Sequence, residues 1–213
     1  MCAARSAEAR SVVLGFRAHT GWAAAVALET APPRVVERRR IVYEPHAEAT
    51  RFLYHRAAEL GSEKAPRLIA DGRMATVAAA KAGVEKFVAE LGAQGYRVTR
   101  AAIPAGNTKL PAQLSDILAA HSRIHAAEGA FYRDTLGEAC TALGLSVSHL
   151  PERDLRRLAA DALKRPPGTI DAFLDDLGRG LGPPWAEDQK LASLAALVAG
   201  APGARPSLGV IVL

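Results

Sequence analysis

The apolar positions of this chain change period as it proceeds. The runs "SVVLGFR" (11–17) and "WAAAVALE" (22–29) are short, apolar and separated by the turn-like "AHTG", a pattern that predicts a hairpin. After "TAPP", the segment "RVVERRRIVY" (34–43) alternates moderately and is rich in β-branched residues, so it predicts a third strand and an antiparallel meander. From His46 onward apolar residues recur every three or four positions, predicting helices over 46–60 and 74–91. A "GAQG" break leads into a strand over 96–104. The Ala-rich stretch 110–144 predicts a long helix interrupted near Gly129 or Gly137, followed by a strand over 145–151. Helical pieces follow at 152–163 and 168–178, then the loop "GRGLGPPW" and a helix over 186–200. The ending "PSLGVIVL" (206–213) reads as an edge strand or a tail, and the strand is preferred because apolar side chains at a free end are poorly tolerated in water.

The order β-β-β-α-β-α-β-α implies a mixed α/β architecture. Strands joined through helices can run parallel, whereas the opening meander cannot. The expected organisation is a tail over 1–10, one domain over 11–204 and a C-terminal tail or edge strand over 205–213, without internal repeats.

A composition of 49% hydrophobic and 23% charged residues fits a globular domain with a sizeable core. Lys and Arg number 27 against 22 Asp and Glu, and the resulting +5 charge favours anionic partners. The clusters "RVVERRR" (34–40) and "RDLRR" (153–157) are either phosphate contacts or solvated faces. Cys2 and Cys140 lack CxxC spacing, so neither a disulfide framework nor a cysteine zinc site is expected, and a reducing, cytoplasmic setting fits best. No stretch approaches 18 uninterrupted apolar residues, which argues against a membrane span.

The candidate chemistry centres on "HSRIHAAEGAFYR" (121–133). His121, His125 and Glu128 fall within about 60° of one another on a helical wheel, and the i, i+4 histidines could share a metal ion. The axial rise from 121 to 128 is about 10 Å, so a pair with outside ligands is the feasible metal site. The competing structural account has these residues capping the sheet edge or standing partly solvated. Gly129 suggests a close approach or a local break, and Tyr132 and Arg133 either extend the polar site or lie on the surface. His19 follows the first strand and could bind or shuttle a proton. Lys109 belongs to "PAGNTK" (104–109), a loop suited to phosphate that lacks the P-loop spacing. Trp185 is a candidate stacking surface, while Glu187 and Asp188 open the last helix, where acidic residues also favour the helix dipole.

This element order, with the text "LGFR" (14–17), "RAAIP" (100–104), "GEACTALGLSVSHLPERDLRR" (137–157) and "WAEDQKLASLAALVAG" (185–200), resembles the RNase H-like superfamily, most closely the RuvC-type Holliday junction resolvases, over about residues 11–200. The resemblance implies a carboxylate on the first strand, a Glu ending the strand after the first helices, and acidic residues opening the last helix, together holding two magnesium ions that activate water. Arg17 stands where the first carboxylate is expected, and Pro104 and Ala105 stand where the Glu is expected. Glu187 and Asp188 alone match. A fixed guanidinium charge would repel paired divalent ions, so the resemblance implies the fold with a degenerate metal site. Glu128, Glu187 or Asp188 are candidate partners for Arg17.

The leading expectation is an RNase H-like protein that binds nucleic acid or a phosphorylated ligand in a crevice containing Arg17, His19, Lys109, His121, His125, Glu128, Trp185 and Asp188, without two-metal nuclease chemistry. One alternative is a metal-dependent phosphodiesterase or nuclease using His121, His125 and Glu128 with Asp188 as metal ligands. Another is an assembly protein forming a homo-oligomer through its C-terminal strand. No cofactor is expected beyond a divalent metal in the first of these alternatives.

Overall fold

The computed structural model describes residues 9–43, 52–61 and 63–204. Three strands open the chain: β1 (Arg10–His19), β2 (Trp22–Thr30) and β3 (Pro33–Val42). β1 and β2 pair antiparallel with Gly15 opposite Val26 and Arg17 opposite Ala24, and Gly21 turns the chain between them at φ 75°. β3 adds antiparallel to β2. Helices α1 (Leu53–Leu60) and α2 (Ala65–Ala93) carry the chain to β4 (Tyr96–Ala105), which pairs parallel with β1. α3 (Leu114–Leu118) and α4 (His121–Ala142) then lead to β5 (Ser146–Pro151), parallel to β4. Helices α5 (Leu155–Leu163), α6 (Ile170–Leu177) and α7 (Glu187–Gly200) complete the order. The five-stranded sheet runs β3-β2-β1-β4-β5, the mixed α/β architecture expected from the sequence.

β1 is central and covered on both sides, so its side chains divide between two cores. Leu14 and Phe16 pack with Phe87 and Leu91 of α2 and Phe131 and Leu136 of α4. Val13 packs on the opposite face with Leu155 of α5, Leu174 of α6 and Leu194 of α7. Alternation along the strand carries Gly15, Arg17 and His19 toward the same side as Val13. Gly15 is where α7 crosses: a Cβ there would lie 1.8 Å from the Ala192 carbonyl oxygen.

Several elements differ from their sequence-based bounds. The helix expected over 110–144 is two helices, divided at Ala119–Ala120, where Ala120 is extended at φ −139° and ψ 125°. Gly129 and Gly137 lie inside α4 and do not break it. A Cβ on Gly137 would meet His149 Nε2 at 2.9 Å, so this glycine lets α4 approach β5. α2 begins at Ala65, nine residues ahead of the expected 74, with Pro66 in its first turn, where the missing N–H has no intrahelical partner to lose. Residues 152–154 form a 3₁₀ turn ahead of α5. The early part of the helix expected over 46–60, and the C-terminal strand over 206–213 with its pairing role, lie outside the described residues. No described helix is long and apolar enough to cross a membrane.

Candidate functional site

The C-terminal ends of β1, β4 and β5 converge with the start of α7. Arg17 sits there with Nη1 2.9 Å from Glu152 Oε2, in the 3₁₀ turn after β5. Its partner is therefore Glu152, where the sequence suggested Glu128, Glu187 or Asp188. The Arg17 Nε is buried and has no hydrogen-bond partner among the described residues. Arg133 of α4 projects toward the same place. Burial lowers its pKa, Asp134 opposes the fall, the Arg17 charge adds to it, and Glu152 acts with Asp134.

Beside this centre, His19 Nε2 lies 2.9 Å from Asp188 Oδ1 at the start of α7. The His19 ring stacks on Trp22 with centroids 4.3 Å apart, and the Arg40 guanidinium lies 3.9 Å from the centroid of the same indole. Arg38 donates to the carbonyls of Leu181, Gly182 and Pro183, which ties β3 to the loop before α7. A cleft of about 570 Å³ runs between Trp22, Arg38, Arg40 and Asp188. A second, of about 480 Å³, is lined by Gly106, Asn107, Glu152, Arg153, Arg156 and Glu187. Arg156 holds Glu187 at 3.1 Å and Asp171 at 3.0 Å. Lys109 is exposed on the loop after β4. Of the carboxylates here, Glu152 faces the Arg17 guanidinium, Glu187 faces that of Arg156, and Asp188 faces the His19 ring.

The α4 face is built differently. Glu128 is buried, and its Oε1 accepts from the backbone N–H of Tyr54 at 2.6 Å and of His55 at 3.4 Å, so it caps the first turn of α1. Burial raises its pKa, and these hydrogen bonds partly offset the rise. His121 and His125 are exposed with their Nε2 atoms 2.9 Å apart. Tyr132, expected at the site or the surface, is a core residue against Tyr43 and Phe131. Trp185 packs into the α5–α7 core and donates from Nε1 to Leu174 O at 3.0 Å. Gly178 leaves room for its indole, since a Cβ there would lie 2.1 Å from Nε1.

Among the solved structures that the coordinates match are two from Thermus thermophilus. RuvC in complex with a Holliday junction substrate superposes with a TM-score of 0.51 at 12% identity, over 88% of this chain and 91% of that one. A second RuvC structure gives 0.50 at 12% identity over the same shares. The chain has the RuvC-type, RNase H-like fold. No protein-family model matches the sequence, and no curated protein matches it either.

Within this RuvC-type fold, the crevice unites Arg17, His19 and Asp188, while His121, His125 and Glu128 form a second group along α4 and α1. Sequence reasoning missed Glu152, Trp22 and His55. Glu152 and Trp22 lie at strand ends, and the place where a strand end meets a distant helix follows from packing, which no local period encodes. "LPERD" (150–154) did carry an acidic residue directly after a strand, a signal that could have drawn attention to Glu152.

Proposed function

We propose that this protein binds nucleic acid through the cationic crevice at the ends of β1 and β4, and that the crevice does not perform two-magnesium phosphodiester cleavage. The observation that carries this reading is the Arg17–Glu152 pair at 2.9 Å beside Arg133. A paired-magnesium site needs clustered oxygen ligands with surplus negative charge. Here the end of β1 supplies a guanidinium, the end of β4 supplies Ala105, Glu152 and Glu187 are each matched by a guanidinium, and Asp188 is engaged by the His19 ring. That donor set does not fit two divalent ions.

It does fit phosphate. The Arg17 side chain is partly exposed, and a phosphodiester oxygen can take the place of Glu152 at its Nη1. Arg133 adds a second charge from α4, Arg153 lines the cleft beside Glu152, and Lys109 is exposed on the loop after β4. Trp22 holds His19 and Arg40 against its ring, keeping the adjoining wall in place. The Holliday junction bound by a protein of the same fold supports a nucleic-acid ligand over a small phosphorylated one.

Fluorescence anisotropy with labelled four-way junction, duplex and single-stranded DNA tests the reading. Arg17→Ala is expected to weaken binding about tenfold or more, as loss of a charged hydrogen-bonding group does, and Glu152→Gln to strengthen it by removing the competing carboxylate. Magnesium or manganese is expected to produce no cleavage. Metal-dependent cleavage abolished by Glu152→Gln, or binding indifferent to Arg17→Ala, would overturn the proposal.

A further inference from the structure

Three histidines from two helices meet at one point. His121 and His125 stand one turn apart on α4, and His55, in the first turn of α1, brings a third ring with centroids 5.5 and 4.7 Å from theirs. One ring nitrogen from each lies within 4.8 Å of the other two. Across the 2.9 Å separating His121 Nε2 from His125 Nε2, at least one nitrogen must present a lone pair, because two N–H groups cannot face each other at that distance.

Glu128 supplies a second, independent observation. Its Oε1 lies 3.5 Å from His55 Nδ1. A carboxylate beside one ring nitrogen favours the tautomer protonated there and leaves the other nitrogen to ligate, the arrangement found behind metal-bound histidines. The other Glu128 oxygen is buried without a hydrogen-bond partner among the described residues, so a positive charge one imidazole away would offset a poorly satisfied anion.

We propose that His55, His121 and His125 form a three-nitrogen site for one divalent transition ion of the zinc class, with Glu128 as its outer carboxylate and a fourth position open to water. Three imidazoles suit zinc, cobalt, nickel or copper, whereas magnesium and calcium require oxygen ligands. Tetrahedral bonds of about 2.0–2.1 Å place ligand nitrogens about 3.3 Å apart, a value between the 2.9 Å contact and the 4.8 Å outer limit seen here. Small rotations of the exposed His121 and His125 rings close the set. The bound ion staples α1 to α4. An eight-residue helix is marginal alone, and α1 already relies on α4 for the Glu128 cap of its first turn. The site is separate from the phosphate crevice, since Arg133 lies eight residues beyond His125, about 12 Å along α4.

The test uses untagged full-length protein stripped with chelator and titrated with zinc, and with cobalt as a spectroscopic probe. One equivalent of each metal is expected, cobalt showing the visible bands of a tetrahedral nitrogen-ligated ion and zinc raising the melting temperature. Any one of His55→Ala, His121→Ala and His125→Ala is expected to weaken zinc binding more than about 100-fold, and Glu128→Gln by about 10- to 100-fold. Circular dichroism separates lost binding from lost folding. Absence of stoichiometric binding by the wild-type protein, or unchanged affinity in folded histidine variants, would overturn the site without bearing on DNA binding.

Discussion

Asp134 shows how one half-buried side chain makes stability depend on pH. It lies next to Arg133 on α4, and burial pushes its carboxyl up from the ordinary 3.8 to about 6, with Arg73 and Arg133 opposing the rise and Glu138 adding to it. Between those two values the folded state holds a proton that the unfolded chain has released. The contribution is therefore fully present below 3.8 and is lost as pH rises through about 6. Asp134→Asn should accordingly exceed the wild type in stability little at pH 4 and by about 1–2 kcal/mol at pH 7.5, after discounting for partial exposure. Denaturant titrations at the two pH values measure this, and a pH-independent difference would contradict the assignment. Arg17 is the complementary case. Its departure from the expected carboxylate was legible in the text, but its partner was not, because Glu152 belongs to a different element.

At the scale of elements, the crossing of α7 over β1 is the contact that sets the crevice floor. It depends on Gly15, whose Cβ position is filled by the Ala192 backbone. Gly15→Ala is expected to cost about 3 kcal/mol or more, because backbone cannot yield as a flexible side chain does. Gly92→Ala is the control: nothing lies near its Cβ position on α2, and the change is expected to stabilise by about 0.5–1 kcal/mol. Equal denaturation midpoints for the two variants would refute the packing account. Strand positions were legible to within about two residues because β-branched runs with turn residues at their ends are local signals. The split between α3 and α4 was not, since Ala119 and Ala120 are good helix formers that leave the helix only in the folded context. Gly129 and Gly137 misled for the converse reason: glycine marks close approach as readily as it marks a break.

At the scale of the molecule, the +5 charge favours an anionic partner, and Arg17 near the end of β1, Arg153 after β5 and Lys109 after β4 are candidate contacts for it. Phosphate binding there must release counterions, so log affinity for duplex DNA should fall linearly with log salt, by about 0.9 per phosphate contacted. Arg17→Ala should reduce that slope by about one. A slope unchanged by the substitution, measured by anisotropy between low and physiological salt, would remove Arg17 from the phosphate contacts. The sequence by itself determined the type and order of the elements, and with them the mixed sheet, because periods of 2 and 3.6 are written in neighbouring residues. It also determined the residue that breaks the expected carboxylate pattern at position 17. Tertiary structure alone decided which charges meet. His19 and Asp188 are 169 positions apart yet 2.9 Å apart in space, and His55 joins His121 and His125 only because α1 docks on α4. Such meetings depend on how helices pack on a sheet, a property of the whole chain that no local window contains.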